Sequence, residues 1–542
     1  MTKKILLGNE AIIKGALASG VSFVSGYPGC PSAEIGDGFG KIAKENNVYA
    51  EWSVNEKTAL EASIGASFSG LKSLVNMKSF GINVCSDSLL PLVYTGTKAA
   101  MVIVVADDPS CWSSAQSEQN SRAYAYLGHI PVLEPADPQE CYDFTKLAFE
   151  ISEKFNIPVI LRTTTRVAHQ RAIVNFEEVK NPVVKGNFIK NHHQFSTMPP
   201  RTLEMKKELL EKIEKIKQFA EKSKSNIIFG SIKSKVGIIT SGTSFSHTME
   251  ALEFLGLDIP VFKLGFFYPL PEAKIKKFLS GLKKVLVVEE LDGYLEKEII
   301  VLSKDVNLKI EIFGKNVLSE IGELNTEKIC VAIAKTANKK FAEFKVKKLD
   351  LPKRTARLCE GCPYWYVFPV LKRVAPDAIF GGDIGCNMIS NLSPHNLTDY
   401  MFAMGAGLGI SHGVKKTTNQ KVISIMGDGT FFHSGIAPLI NSVYNKSNPL
   451  VVILDNRITA MTGHQPNAGM GKNLMGEPAT ELSIEEIVKA CGVKNIKVLD
   501  PINMQDLENT VKEFLEKDEI SVIICKRICA LLAKRQTIDQ HE

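Results

Sequence analysis

Two segments constrain this chain more than any others: IMGDGTFFHSG at residues 425–435 and VVILDNRITAMTGHQP at 451–466. One apolar run ends in Gly427-Asp428-Gly429 and the next in Asp455-Asn456, so Asp428 and Asn456 stand 456 − 428 = 28 residues apart. That interval holds a helix and a second strand. The two runs are therefore expected as adjacent parallel strands, with both polar residues at the carboxyl edge of one sheet, where ligands bind in open α/β folds. A carboxylate and an amide oxygen suit Mg²⁺, which takes few protein ligands and completes its octahedron with phosphate and water. The glycines let backbone N–H groups approach phosphate oxygens. GDG alone is also an ordinary strand-ending turn; the asparagine at this spacing is what favours the metal reading.

Similar runs recur as MVIVVADD (101–108), IPVILRTTT (157–165), KVGIITSG (235–242), KVLVVEELD (284–292) and SVIICKR (521–527). Short apolar runs bounded by Gly, Asp or Asn and alternating with helical patterns predict α/β architecture with buried parallel strands. Periodicity lapses over 170–200. Beyond it, Leu209, Leu210, Ile213, Ile216 and Ala220 at helical spacing predict a charged helix serving as a surface connector. The basic, proline-containing segment 345–357 predicts a second boundary. The expected domains are 1–185, 231–345 and 355–535, with 186–230 as a linker.

A formal charge of +6, from 65 basic minus 59 acidic residues, is too weak and dispersed for nucleic-acid binding. No window reaches 18 uncharged apolar residues, so no membrane span is expected. MTKKILLGNEAI lacks the apolar length of a secretion signal, and the expected location is the cytosol. In that reducing compartment the eleven cysteines are not expected to form structural disulfides. Cys85, Cys141, Cys330, Cys491 and Cys525 sit among apolar or helix-like neighbours and read as small hydrophobes. Cys359 and Cys362 in RLCEGCPYWY do not, because Gly361 and Pro363 break that segment into a loop. By itself this pair suits a disulfide, half a zinc site, a redox switch or part of an iron–sulfur site.

An ordered set of segments runs along nearly the whole chain: SGYPGCPSAEI (25–35), WSVNEKTALE, SSAQSEQNSR (113–122), LEPADPQE (133–140), KLGFFYPLP, VVEELD, LCEGCP, GDIGC (382–386), MGDGTFFHSG and ICALL. The set resembles the alpha subunits of indolepyruvate:ferredoxin oxidoreductases, within the 2-oxoacid:ferredoxin oxidoreductase superfamily. The resemblance implies a thiamine-diphosphate-binding α/β fold: a pyrimidine-type and a diphosphate-type parallel-sheet domain flanking a transketolase-C-like domain. It implies that Gly427, Asp428, Gly429, Thr430, Asn456, Ile458 and Met461 bind thiamine diphosphate. Mg²⁺ would be held by Asp428, Asn456 and the Ile458 carbonyl.

By the same resemblance Glu56 is the catalytic carboxylate at the aminopyrimidine N1′, although Ser53-x-x-Glu56 also reads as a capping box. Cys30 in YPGCPS and Arg122 are implied on the substrate side, where a guanidinium fork suits a carboxylate; a surface ion pair is the alternative for Arg122. The family usually has threonine at Cys30 and histidine at Tyr364, which puts the substrate in question. Cys359, Cys362, Cys386 and Cys529 match the four cysteines that hold one [4Fe–4S] cluster in related enzymes, and four thiolates are the expected count. A Cys₄ zinc site and an incidental, empty set of thiols are the alternatives.

No cysteine follows Cys529, so a C-terminal ferredoxin-like module is not expected. The implied reaction is oxidative decarboxylation of an aryl 2-oxo acid with coenzyme A, giving acyl-CoA, CO₂ and electrons for ferredoxin. The implied partners are a smaller beta subunit and a ferredoxin or separate ferredoxin-like polypeptide. A non-oxidative thiamine-dependent decarboxylase and a non-catalytic scaffold are the competing readings. Lys345, Lys347, Lys348, Lys353, Arg354 and Arg357 read either as an attraction for an acidic carrier or as a solvated linker.

Overall fold

The computed structural model describes residues 2–177, 182–231, 234–306, 309–341, 350–352 and 354–539. The chain divides into two compact units, Met1–Lys348 and Leu349–Glu542.

The first unit is built on a seven-stranded sheet. Its strands run in the order Phe266–Tyr268, Val132–Leu133, Val159–Thr164, Met101–Asp107, Ser73–Lys78, Phe23–Gly26 and Tyr49–Trp52. All neighbours are parallel except Phe266–Tyr268, which joins the edge antiparallel. Leu74, Val75, Ile103 and Val105 are fully buried, each stabilising the fold by about 1.5–3 kcal/mol. Buried on both faces, these strands need no alternation of apolar and polar residues, which is why they read as unbroken apolar runs.

A five-stranded sheet lies in the same unit, ordered Glu311–Phe313, Lys284–Val288, Val236–Ser241, Val261–Leu264 and Ile227–Phe229. The strand Phe266–Tyr268 leaves this region to complete the first sheet, so two expected domains share one compact unit.

Two expectations need correction. The stretch after residue 170 contains the strand Arg171–Phe176, paired antiparallel with Thr2–Leu7. This two-stranded ribbon exposes Ile5 and Ile173, which weakened its pattern. The helix Arg201–Lys222 is more than a surface connector. It buries Met205, Leu209, Ile216 and Ala220, and it packs against the helix Ser79–Thr95.

The second unit carries a five-stranded, fully parallel sheet in the order Ile379–Gly381, Val422–Gly427, Leu450–Asp455, Ser521–Lys526 and Asn495–Leu499. Gly427 lies in register with Leu454. Asp428 and Asp455 therefore leave neighbouring strands side by side, with Asn456 next along the chain. Lys345, Lys347, Lys348 and Lys353 lie outside the described residues; Arg354 and Arg357 are exposed. Among the described residues no helix is long and apolar enough to cross a membrane.

Candidate functional site

The second unit's sheet edge gathers the diphosphate and metal candidates. The strand Val422–Gly427 ends at Gly427 and the chain turns into a short helix, Asp428–Thr430, then a π-helical turn, Phe431–Gly435. Such turns recur at functional sites. Asp428 is buried and accepts from Asn467 Nδ2 at 3.0 Å. Burial and the neighbouring Asp455 carboxylate push its pKa up to about 7. A buried carboxylate beside a second one is what a divalent cation relieves, so the donor set fits Mg²⁺.

After Asn456 the backbone bends sharply. Arg457 adopts a left-handed φ of 68°, a strain of about 1–3 kcal/mol that clusters at ligand clamps. Ile458 N donates to Asn456 Oδ1 at 3.2 Å, fixing the amide. A Cβ at Gly429 would stand 3.0 Å from Thr459 Oγ1, so the glycine keeps the backbone open there. Thr430 Oγ1 donates to the Ile384 carbonyl, tying this turn to the GDIGC segment. In that segment Asp383 is buried and accepts from the backbone of Ile384, Gly405 and Gly407.

The four cysteines share one cavity. Cys359, Cys362, Cys386 and Cys529 line a single cavity of about 230 Å³, together with Asn456, Met461 and His464. Cys529 N donates to the Asn456 carbonyl at 3.1 Å, and Cys529 Sγ lies 3.7 Å from His464 Nε2. Asn456 Nδ2 donates to the Tyr364 hydroxyl at 2.9 Å. Tyr364, where the family usually has histidine, thus links the CEGCP turn to Asn456.

Burial, and after it the nearby cysteines, push the Cys362 thiol up to about 11 and the Cys386 thiol up to about 12. Such thiols stay protonated near neutral pH unless a metal charge draws off the proton. Among the described residues no three His, Cys, Asp or Glu side chains converge at metal-holding spacing. The thiols share a cavity wall without forming a closed coordination sphere. Cys85, Cys141, Cys330 and Cys525 are buried as expected, while Cys491 is half-buried.

The first unit holds Glu56 and Cys30 at the carboxyl edge of its own sheet. Glu56 is 7% exposed and opens the helix Glu56–Phe68. The cap is Asn55, whose side chain accepts from Thr58 N, while Ser53 Oγ donates to Glu51. The capping-box reading of Ser53 and Glu56 is thereby overturned: the helix starts two residues later than that motif requires. A Cβ at Gly81 would stand 2.6 Å from Glu56 Cγ, so the glycine makes room for the carboxylate. Cys30 is half-buried in a loop held by Asn9 Nδ2 on the Pro31 carbonyl and Asn76 Nδ2 on the Ser32 carbonyl. Burial, then Glu34, pushes its thiol up.

Arg122 is placed elsewhere than expected. It is 2% exposed and donates to both Glu134 oxygens at 2.6 Å, to Glu289 Oε2 at 2.9 Å and to Ser241 Oγ at 2.8 Å. Arg162 joins the same network through Asp107 and Glu134. Burial would raise the Glu134 pKa, but the two guanidiniums outweigh it and hold the carboxyl at about 2. A guanidinium committed to three protein partners has no fork to offer a substrate. Neither a substrate-facing arginine nor a surface ion pair fits this placement. The pattern around residue 122 could not show it, because Glu289 lies 167 residues away. A larger hollow of about 400 Å³, lined by Phe229, Met249, Glu250 and Asp258 among others, contains none of the expected site residues.

The comparisons first define a class. The family model described as "Pyruvate flavodoxin/ferredoxin oxidoreductase, thiamine diP-bdg" matches residues 14–225, and "Thiamine pyrophosphate enzyme, C-terminal TPP binding domain" matches 383–525. The chain therefore has two thiamine-diphosphate-type domains, and its parallel sheets agree with that class. The fold is like that of a 2-oxoglutarate:ferredoxin oxidoreductase from Magnetococcus marinus, with a TM-score of 0.50 at 18% identity over 62% of this chain and 65% of that one.

The particular family follows from two further matches. Residues 226–360 match "Indolepyruvate oxidoreductase domain". "Indolepyruvate oxidoreductase subunit IorA" of Methanothermobacter marburgensis is 43% identical over 97% of this chain and 87% of its own length. The protein of that name from Pyrococcus horikoshii is 40% identical over 98% of this chain and 86% of its own length. The chain belongs to the indolepyruvate oxidoreductase IorA family.

Proposed function

We propose that this chain is the alpha-type subunit of a ferredoxin-linked oxidoreductase. It would decarboxylate aryl 2-oxo acids such as indolepyruvate oxidatively, with coenzyme A, to acyl-CoA and CO₂. Its partners would be a smaller beta subunit and a ferredoxin or ferredoxin-like polypeptide, in the cytoplasm. The observation that carries the reading is the Tyr364–Asn456–Cys529 linkage, which ties the four-thiol wall to the metal-site asparagine.

When bound, thiamine diphosphate supplies an electron sink for decarboxylation and a four-iron cluster supplies a one-electron acceptor. Asp428, Asn456 and the Ile458 carbonyl would hold Mg²⁺, and Asn467 orients Asp428 through its amide. The Gly427–Thr430 turn gives the diphosphate backbone donors. Cys359, Cys362, Cys386 and Cys529 would hold the cluster. Met461, 43% exposed, lines the same cavity. Glu56 holds and exchanges a proton at the aminopyrimidine nitrogen, a task suited to a carboxylate in a low-dielectric setting.

The test is an anaerobic assay of the co-expressed complex with indolepyruvate, coenzyme A and ferredoxin. The expected result is ferredoxin reduction that stops when coenzyme A is withheld. Release of CO₂ and an aldehyde, with ferredoxin left oxidised, would establish the non-oxidative reaction instead.

A further inference from the structure

With Arg122 committed to Glu134 and Glu289, the substrate side of the first unit needs another cation. Lys78 ends the strand Ser73–Lys78 and precedes the helix Ser79–Thr95. The loop bearing Cys30 lies against it: a Cβ at Gly29 would stand 2.8 Å from Lys78 Cβ. One turn further along the helix, Gly81 packs on Glu56. Lys78 therefore shares an edge with both Cys30 and Glu56.

The Lys78 ammonium is half-buried and makes no ion pair among the described residues. It donates to the Ser113 carbonyl at 2.7 Å, which leaves two of its three N–H groups for other acceptors. Asp108 is the acidic neighbour, but its oxygens already accept from Ser113 N, Ser114 Oγ and Thr165 Oγ1. Burial lowers the lysine's pKa, a shift that a bound carboxylate reverses. The ammonium also sits 5.3 Å from the centroid of the half-buried Phe80 ring, an apolar surface beside the charge.

We infer that Lys78 is the specificity-determining cation that pairs with the carboxylate of the 2-oxo acid, with Phe80 flanking the carbon chain. This rests on the proposed 2-oxo acid chemistry. A carboxylate arriving here meets a half-buried ammonium and the positive end of a 17-residue helix.

The test compares wild type, Lys78→Gln and Lys78→Arg in the complete complex. Glutamine keeps a hydrogen bond for the Ser113 carbonyl but removes the charge, which separates loop support from carboxylate binding. Indole-3-propionate affinity is measured by calorimetry, and thiamine diphosphate affinity by fluorescence. Lys78→Gln is expected to bind the cofactor as wild type does and to lose about 30- to 100-fold in indole-3-propionate affinity and in kcat/KM, mostly through KM. Lys78→Arg is expected to recover most of both. Unchanged indole-3-propionate affinity in Lys78→Gln with the cofactor bound overturns the inference. A wild-type complex that binds no thiamine diphosphate overturns the reading beneath it.

Discussion

The carboxyl edges of the two large sheets make an instructive pair. At the second unit's edge the chemistry comes from residues close in sequence to their strands: Asp428 follows one strand and Asn456 the next, and parallel register places them together. At the first unit's edge the same strand logic delivers Glu56, Cys30 and Lys78. In the same unit, however, Arg122 is withdrawn into a buried network that draws the Glu289 carboxylate from 167 residues along the chain. A motif set by strand register is local information, whereas the partner of a buried charge is decided by tertiary packing.

The sharpest way to break this contrast is Glu56→Gln. It should lower kcat about 10²- to 10⁴-fold, the usual worth of a positioned acid–base group, with thermal unfolding unchanged. Near-normal turnover would return Glu56 to a structural role. Arg122→Met should do the opposite. It leaves Glu289 buried without its cation and Glu134 with Arg162 alone, at a cost of about 3–5 kcal/mol, read as a lower denaturation midpoint. A stable Arg122→Met protein with a raised KM for the 2-oxo acid would restore the substrate role.

A pH series sharpens the same point. Glu134 is held at about 2 in the folded chain, below its ordinary 4.5. Its contribution is therefore present above pH 4.5 and lost as pH falls from there toward 2. Burial raises Glu289 and Glu290, so their titration lies above that window. Acid unfolding of wild type should steepen below pH 4.5, and Glu134→Gln should make that slope shallower; equal slopes would contradict the network. The smallest expected effect is that of Asn467→Ala, which should weaken Mg²⁺-dependent cofactor binding about 10- to 100-fold, as loss of a residue orienting a metal ligand does.

These contrasts explain what could be read from sequence. The buried strands, the Asp428–Asn456 edge and the α/β class were legible because continuous apolar runs and fixed intervals carry them. The shared wall of Cys359, Cys362, Cys386 and Cys529 was legible only through the family resemblance, since one close pair and two scattered cysteines have no periodic signature. The partners of Asn467, Tyr364 and Lys78 were not legible, because each is brought in by the fold. The strand Arg171–Phe176 was hidden because its exposed outer face, with Ile173, carries no clean alternation.

The central claim is that the four-thiol wall beside Asn456 serves electron transfer. Iron and sulfide analysis of the anaerobically purified chain, followed by electron paramagnetic resonance after dithionite reduction, tests it most directly. The account predicts about four irons and four sulfides per chain, the count of one Cys₄-ligated cube. It also predicts a reduced-cluster signal that is lost in Cys386→Ala. An iron-free chain, or one carrying a single zinc at these cysteines, would contradict it.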